Sequence, residues 1–238
     1  MDFTRLHLWA RSTADLGHGL PIISPISSVT LTHHHLGHID GVGLFGREVM
    51  GKPKESVRLL SGKAVIDDLE RKSYLGPFMP EVISNGSRVQ LGKGVSLEFY
   101  RVPHREIECG ETYGIIVRGN NKSIFFLPDH DTYEETLAFH KKESIREWLK
   151  SLDVDVAMID GTFFTFEEIA GKRSDCKGIP HPPISESLAL LGKREQDDPQ
   201  IIFIHLNHTN SVINDLAKRH EIEKLGWTIG IQGDMWTI

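Results

Sequence analysis

Short runs of apolar and β-branched residues, each ended by turn residues, form the dominant pattern of this chain. Runs of this length and composition predict buried strands. Asn85-Gly86 predicts a tight hairpin turn, and the polar residues 119–121 predict a second one. The predicted strands cover residues 26–32, 57–60, 81–83, 88–91, 95–102, 113–118, 123–127, 154–159, 201–204 and 227–238.

Apolar residues at helical spacing lie between these runs and predict helices, with Ser185 as the N-cap of one of them. Strands come first in succession and later alternate with helices, which indicates a β-rich sandwich flanked by helices. No repeat or linker interrupts the pattern, so we expect a single domain over residues 1–238. The predicted helices cover residues 39–50, 64–69, 132–151, 185–191 and 212–224.

Composition narrows the class of protein. With 39% hydrophobic residues among 238, the chain can build a sizeable core. The net charge of −6 gives no global footprint for nucleic acid or anionic membrane. Two cysteines, Cys109 and Cys176, argue against a disulfide framework and against a cysteine-based zinc site. Without an apolar run of about 18 residues or a signal-peptide pattern, we expect a cytoplasmic protein that has no membrane partner.

Histidines and aspartates follow the predicted strands. His33, His34, His35 and His38 follow the first strand within six residues, and His-x-His spacing there places two rings on one face. Imidazole and carboxylate are the usual ligands of zinc, iron and manganese. The pattern therefore predicts a metal site. The other candidates at strand ends or in a loop are His104, Asp129, Asp160, His181, His205 and His208.

Each of these later residues also has an ordinary structural interpretation. A single histidine at a strand end is more often a hydrogen-bonded core or surface residue, and Asp129 could be a helix N-cap. His181 lies in a proline-rich loop and could be a turn residue. The four clustered histidines have no common structural use, so the metal prediction rests mainly on them.

The segment TLTHHHLGHIDG resembles the His-x-His-x-Asp-His motif of the metallo-β-lactamase superfamily, and the later motifs follow in the family's order. The resemblance implies an α+β fold, a four-layer αββα sandwich. It implies that His33, His35 and His104 bind a first metal ion, that Asp129 bridges, and that His38 and His205 bind a second. The implied cofactor is zinc, as one or two ions, with manganese or iron as alternatives.

The later segments MIDGTFF, GIPHPPISESLALL and FIHLNHTN resemble the branch that holds pyrroloquinoline quinone biosynthesis protein B and the ribonuclease Z-like phosphodiesterases. In those phosphodiesterases the position of His181 contacts the scissile phosphate or acts as general acid, and the carboxylate at the position of Asp160 supports it. Such a pair keeps a proton available, since the carboxylate raises the pKa of the ring. Asp129 would orient a metal-activated water as well as bind metal.

Two departures from the family pattern keep alternatives open. Gly37 occupies the position of the motif's aspartate, so a second metal should bind more weakly or not at all. Only 32 residues precede His33, which suggests a sandwich shortened at the N-terminus. His205 is favoured over His208 as the metal ligand after the late strand, and His208 is expected to support His205 from outside the ligand set. His34 is not expected to bind metal.

The implied function is a metal-dependent hydrolase, phosphodiesterase-like, acting on a small-molecule or nucleotide-type phosphoester or another small ester. The alternatives are an iron-dependent oxidoreductase and a catalytically impaired binding protein of the same fold. A nucleic acid substrate and a homodimer stay open, although net charge does not point to the former.

Overall fold

Two β-sheets form the centre of the molecule, as seen in a computed structural model that describes residues 26–45, 56–92, 94–104, 111–170 and 180–238. The smaller sheet has three parallel strands in the order β1-β2-β3 along its width. The N-terminal residues 1–25, the end of the helix predicted over 39–50, and both cysteines lie outside the described residues. The three strands are β1 (Ser28–Thr30), β2 (Val57–Ser61) and β3 (Phe78–Val82).

The larger sheet has seven strands. In chain order, its first four strands form an antiparallel meander, and its last four strands pair in parallel. The strand order across the sheet is β10-β9-β8-β7-β6-β5-β4. The strands are β4 (Arg88–Gly92), β5 (Val95–Val102), β6 (Thr112–Arg118), β7 (Ser123–Leu127), β8 (Val156–Asp160), β9 (Gln200–Ile204) and β10 (Thr228–Ile229).

This pairing gives β5, β7, β8 and β9 the same direction, because β5 and β7 are both antiparallel to β6. Their carboxyl ends therefore lie along one edge of the larger sheet. In open sheets with parallel strands, this edge is where binding sites form.

Seven α-helices and two 3₁₀ turns connect the strands in the described ranges. None of the described helices is long and apolar enough to span a membrane. The helices are α1 (Leu36–Ile39), α2 (Lys63–Arg71), α3 (Tyr133–His140), α4 (Ile145–Ser151), α5 (Glu167–Ala170), α6 (Ile184–Leu191) and α7 (Leu216–Lys224), and the 3₁₀ turns are Asp40–Phe45 and Ser211–Ile213.

Neighbouring residues on single strands show that both sheets are covered on both faces. Leu59 of β2 packs with Val65 of α2, whereas Leu60 packs with Phe99 of the larger sheet. Phe126 of β7 faces the space between the sheets, as the period of two along a strand requires.

Phe125 faces the other side of β7, where it packs with the helices that follow, among them Trp148 of α4 and Ile184 of α6. The layers are thus helix, sheet, sheet and helix, which confirms the predicted four-layer αββα sandwich.

Five local predictions were wrong or incomplete. The turn at Gly86 (φ +78°) joins β3 to β4, which pair in different sheets, so it is not a hairpin. The second predicted hairpin, β6–β7, is confirmed. The helix predicted over residues 132–151 divides because Lys141 adopts a left-handed conformation (φ +54°) and Ser144 caps a new helix.

The remaining differences concern helix and strand ends. Helix α6 begins at Ile184 after Pro183, so Ser185 lies inside the first turn and is not the N-cap. The strand predicted over residues 227–238 pairs only at Thr228–Ile229. The helix predicted over residues 212–224 is a 3₁₀ turn followed by α7, which Asp215 caps through its carboxylate.

Candidate metal centre

The predicted metal and catalytic residues meet at the edge formed by the carboxyl ends of the parallel strands. Hydrogen bonds join the loops there: Tyr113 N donates to Thr32 O at 3.0 Å, and Asp131 N donates to Pro103 O at 2.8 Å. The first of these links the histidine segment after β1 to the larger sheet. We call the assembled side chains the His/Asp cluster: His33, His35, His38, His104, Asp129, Asp160, His181 and His205.

Three histidines form the first group of the cluster. His33 Nε2 lies 3.0 Å from His35 Nδ1, and His104 Nε2 lies 3.4 Å from the same atom. One nitrogen of each ring lies within 4.8 Å of the others, so the three could hold a single ion. Thr32 Oγ1 lies 3.0 Å from the other ring nitrogen of His33, which leaves Nε2 turned to the group.

Asp129 lies between this group and the other side chains. Its Oδ1 is 4.0 Å from His104 Nε2 and 3.8 Å from His205 Nδ1, and its Oδ2 is 3.2 Å from His38 Nε2. The rings of His38 and His205 have centroids 5.1 Å apart. This is the position that a bridging carboxylate would need, although ligation by each residue stays a prediction.

Asp160 and His181 form an ion pair beside Asp129. His181 Nδ1 lies 2.6 Å from Asp160 Oδ2 and 3.6 Å from Asp129 Oδ1. Burial alone would lower the pKa of His181, but the charge and hydrogen bond of Asp160, with the charge of Asp129, raise it to about 9. Burial likewise opposes ionisation of Asp160, yet His181 lowers the pKa of this carboxyl to about 2. The pair is therefore charged on both sides at neutral pH.

Three other histidines of the cluster have lowered pKa values. Burial lowers the pKa of His38 and of His104 to about 3 and holds the pKa of His33 well below its ordinary value. Neighbouring histidines add to each shift, because like charges so close together disfavour protonation. These rings are neutral at pH 7, which is the state that binds a metal ion.

The donor set fits a divalent cation. Burial raises the pKa of Asp129 to about 6. Its buried Oδ2 lies 3.2 Å from His38 Nε2, but no described residue donates a well-aligned hydrogen bond to it. An unsatisfied buried carboxylate oxygen is costly, and a cation would satisfy it. Neutral imidazoles and carboxylates are ligands of zinc, iron and manganese.

Gly37 lies in α1, one residue before His38, and is exposed to solvent. A Cβ placed on it would meet no described atom within 4 Å. The position is therefore open, and crowding by the described residues does not explain the missing aspartate. His34 lies outside the ligand groups, with its ring centroid 5.7 Å from that of His35.

Two buried residues beside the cluster were not predicted as part of it. Thr162 Oγ1 lies 2.7 Å from Asp160 Oδ1 and 2.9 Å from His205 Nδ1. His130 is fully buried beside the cluster, with Nδ1 3.0 Å from Thr136 Oγ1. Threonine does not stand out in the pattern, and His130 is one of 13 histidines, so the places of both residues become visible only when the loops meet in the folded sheet.

His205 carries a backbone signal of its own. Its φ is +61°, a left-handed conformation that is uncommon for residues other than glycine and recurs at functional sites. His208 lies in the following turn, is exposed, and makes no hydrogen bond to the cluster in the described part of the chain. The supporting position predicted for His208 is taken by Thr162.

The fold and the cluster define a member of the metallo-β-lactamase fold, and the chain belongs to the family described as the β-lactamase superfamily domain, whose model matches residues 13–231. Among curated proteins it is similar to coenzyme PQQ synthesis protein B of Rhizobium meliloti (strain 1021). That relative is 23% identical over 88% of this chain and 71% of its own length.

Solved structures agree on the fold. Zinc-bound PqqB from Methylobacterium extorquens superposes with a TM-score of 0.67 at 19% identity, over 90% of this chain and 74% of that one. A diphosphatase of the PhnP family superposes with a TM-score of 0.56 at 16% identity, over 86% of this chain and 68% of the other. At these identities the likeness establishes the fold, and this fold includes metal-dependent hydrolases.

Proposed function

We propose that this protein is a metal-dependent hydrolase that cleaves a phosphodiester or another small ester. The observation that carries the proposal is the charged Asp160–His181 pair, 2.6 Å apart, beside a buried group of neutral histidines. One part of the cluster suits a cation, and the other holds a proton. Ester hydrolysis needs both, because a nucleophile must form and a leaving group must be protonated.

His181 is the proton donor in this proposal. Its Nδ1–H donates to Asp160 Oδ2, so the second proton of the imidazolium is on Nε2 and is available to a leaving oxygen. Phe163, with its ring centroid 6.2 Å from that of His181, adds an apolar wall beside the ring. Asp129 accepts a hydrogen bond from the attacking water and orients it.

The proposed cofactor is zinc, as one or two ions, with manganese or iron as alternatives. When bound, a divalent cation would lower the pKa of water and polarise the ester. The ligand types support any of the three metals, and a zinc-bound relative of the same fold supports zinc first.

The test is elemental analysis of natively purified protein, followed by hydrolysis of bis-p-nitrophenyl phosphate and p-nitrophenyl acetate with added zinc, manganese or iron. With a phenyl ester, whose poor leaving group needs the proton, His181→Gln should lower kcat/KM by about 10²- to 10⁴-fold, the usual contribution of a general acid. His220→Gln is the matched control, since His220 is an exposed histidine on α7. Absence of both metal and turnover would overturn the proposal and favour a binding protein of this fold.

An iron-dependent oxidoreductase is the second candidate. Three neutral histidines with an adjacent carboxylate also suit iron(II), and the curated relative is named for coenzyme PQQ synthesis. Iron in the purified protein together with dioxygen consumption, and no ester hydrolysis, would favour this candidate.

The proposed substrate is a small-molecule or nucleotide-type phosphoester. Single-stranded RNA in the same assay tests the nucleic acid alternative. Light scattering on the purified protein tests the proposed homodimer, and cell fractionation tests the proposed cytoplasmic location.

A further inference from the structure

Thr162 lies two residues after the end of β8 and is buried, with 6% of its surface exposed. Its carbonyl oxygen accepts hydrogen bonds from Asn207 N at 3.0 Å and from Asn210 Nδ2 at 3.2 Å. Asn210 Nδ2 also donates to Gly161 O at 2.7 Å. These bonds fix the backbone on both sides of Thr162, so the hydroxyl group has a defined position.

The hydroxyl proton of Thr162 is committed to Asp160. Thr162 Oγ1 donates to Asp160 Oδ1 at 2.7 Å, and Thr162 N donates to the same oxygen at 2.9 Å. The other carboxylate oxygen faces His181 Nδ1. An ionised carboxylate only accepts hydrogen bonds, and a hydroxyl group has one proton. Toward any further partner, Thr162 Oγ1 must therefore act as an acceptor.

His205 Nδ1 is such a partner, at 2.9 Å from Thr162 Oγ1. Since the hydroxyl oxygen accepts here, Nδ1 must carry the proton. Oxygens of Asp129 and Asp160 lie 3.8 and 4.0 Å from the same nitrogen, too far for a hydrogen bond. With its proton on Nδ1, the neutral ring has its lone pair on Nε2.

We propose that Thr162 is a positioning residue that fixes the Nδ1–H tautomer and the orientation of His205, and so leaves Nε2 as the ring nitrogen whose lone pair can bind a metal ion. The tautomer follows from hydrogen bonding in the metal-free protein. The consequence for metal affinity rests on the proposed function, in which His205 is a ligand. The chain Asp160–Thr162–His205 gives the ligand its support through a hydroxyl group, where direct contact with the carboxylate is too long.

The experiment compares wild type, Thr162→Val and Thr162→Ser. Valine has nearly the shape of threonine but no hydroxyl group, whereas serine keeps the hydroxyl group. In ¹⁵N-histidine spectra of the metal-free proteins, His205 should be the Nδ1–H tautomer in wild type and Thr162→Ser, with Nε2–H gaining population in Thr162→Val. Zinc affinity should fall about 10- to 100-fold in Thr162→Val and stay within about threefold of wild type in Thr162→Ser.

Three outcomes have distinct meanings. An Nε2–H tautomer in wild-type protein overturns the role of Thr162 without any variant, which keeps the test valid if Thr162→Val fails to fold. Equal zinc affinity and an equal tautomer in wild type and a folded Thr162→Val also overturn it. Wild-type protein that binds no metal contradicts the proposed function, while the tautomer measurement still decides the role of Thr162.

Discussion

The charged pair of Asp160 and His181 gives a quantitative prediction. Asp160→Asn keeps the size of the side chain and removes its charge. The change acts 2.6 Å from His181 Nδ1, in a buried place where a charge has a strong effect on a neighbouring ring. Burial lowers the pKa of His181 and the charge of Asp129 still raises it, so without the Asp160 charge the ring should have a pKa near its ordinary 6.5.

The size of the effect follows from the two pKa values. In wild type the pKa of His181 is raised to about 9, so about 90% of the rings hold the second proton at pH 8. With a pKa of 6.5, only about 3% would do so at that pH. The proton donor is thus depleted about 30-fold, and the difference between the two pKa values corresponds to a free-energy difference of about 3 kcal/mol.

Two measurements check this prediction. An NMR titration of metal-free protein reports the pKa of His181 in wild type and Asp160→Asn directly. In metal-loaded protein, kcat/KM decreases as the pH rises and His181 loses its proton, and in the variant this decrease should begin at a lower pH. The loss of kcat/KM should be larger for phenyl than for p-nitrophenyl esters, because poorer leaving groups need the proton more. A bound cation lowers the pKa of His181 in both proteins, so their difference is the quantity to compare.

A difference of less than about half a unit between the His181 pKa values of the two proteins would refute the role given to the Asp160 charge. Equal losses for all leaving groups at equal metal content would also refute it, since a general acid acts on the leaving group. Asp153→Asn is the matched control, because it removes the same charge at an exposed position before β8 and should change neither quantity.

Further variants test the metal groups and one strained backbone position. His35→Ala should strongly reduce the bound metal found by elemental analysis, whereas His34→Ala, which lies outside the ligand groups, should retain it. Equal metal content in the two variants would exclude the group of His33, His35 and His104 as a metal site. Gly37→Asp adds a carboxylate at an open position, so calorimetry should detect tighter binding of a second metal ion. An unchanged stoichiometry and affinity would contradict the role given to this position. Lys141→Gly should raise the free energy of unfolding by up to about 1 kcal/mol in urea titrations, because Lys141 has a φ of +54°; a loss of stability would contradict the strain argument.

Local pattern was sufficient wherever a structure depends on neighbouring residues. The strand Val95–Val102 and the hairpin of β6 and β7 lie where alternation and the polar turn predict them. The pattern fails where distant residues decide. The residues around Asn85-Gly86 do not predict that β3 pairs with β2 in the other sheet. The residues around Lys141 do not predict that a helix ends there, because no glycine marks the end.

The same division applies to the candidate site. The identity and order of His33, His35 and Asp129 were enough to bring them forward as one set, because metal ligands are chemically distinctive. Thr162 was out of reach, since a threonine after a strand is common and its role appears only when Asp160 and His205 meet on adjacent strands.

The His/Asp cluster draws its side chains from both sheets of the sandwich. His33 follows β1 of the smaller sheet, whereas Asp129 and His205 follow β7 and β9 of the larger one. An ion held by His33, His35 and His104, which follows β5 of the larger sheet, would act as a cross-link between two layers that otherwise meet mainly through apolar side chains. Binding would favour the closed arrangement of the layers over local opening. Amide hydrogens of β1 would then exchange more slowly when the ion is present, so metal supply would set the lifetime of the folded protein as well as its activity.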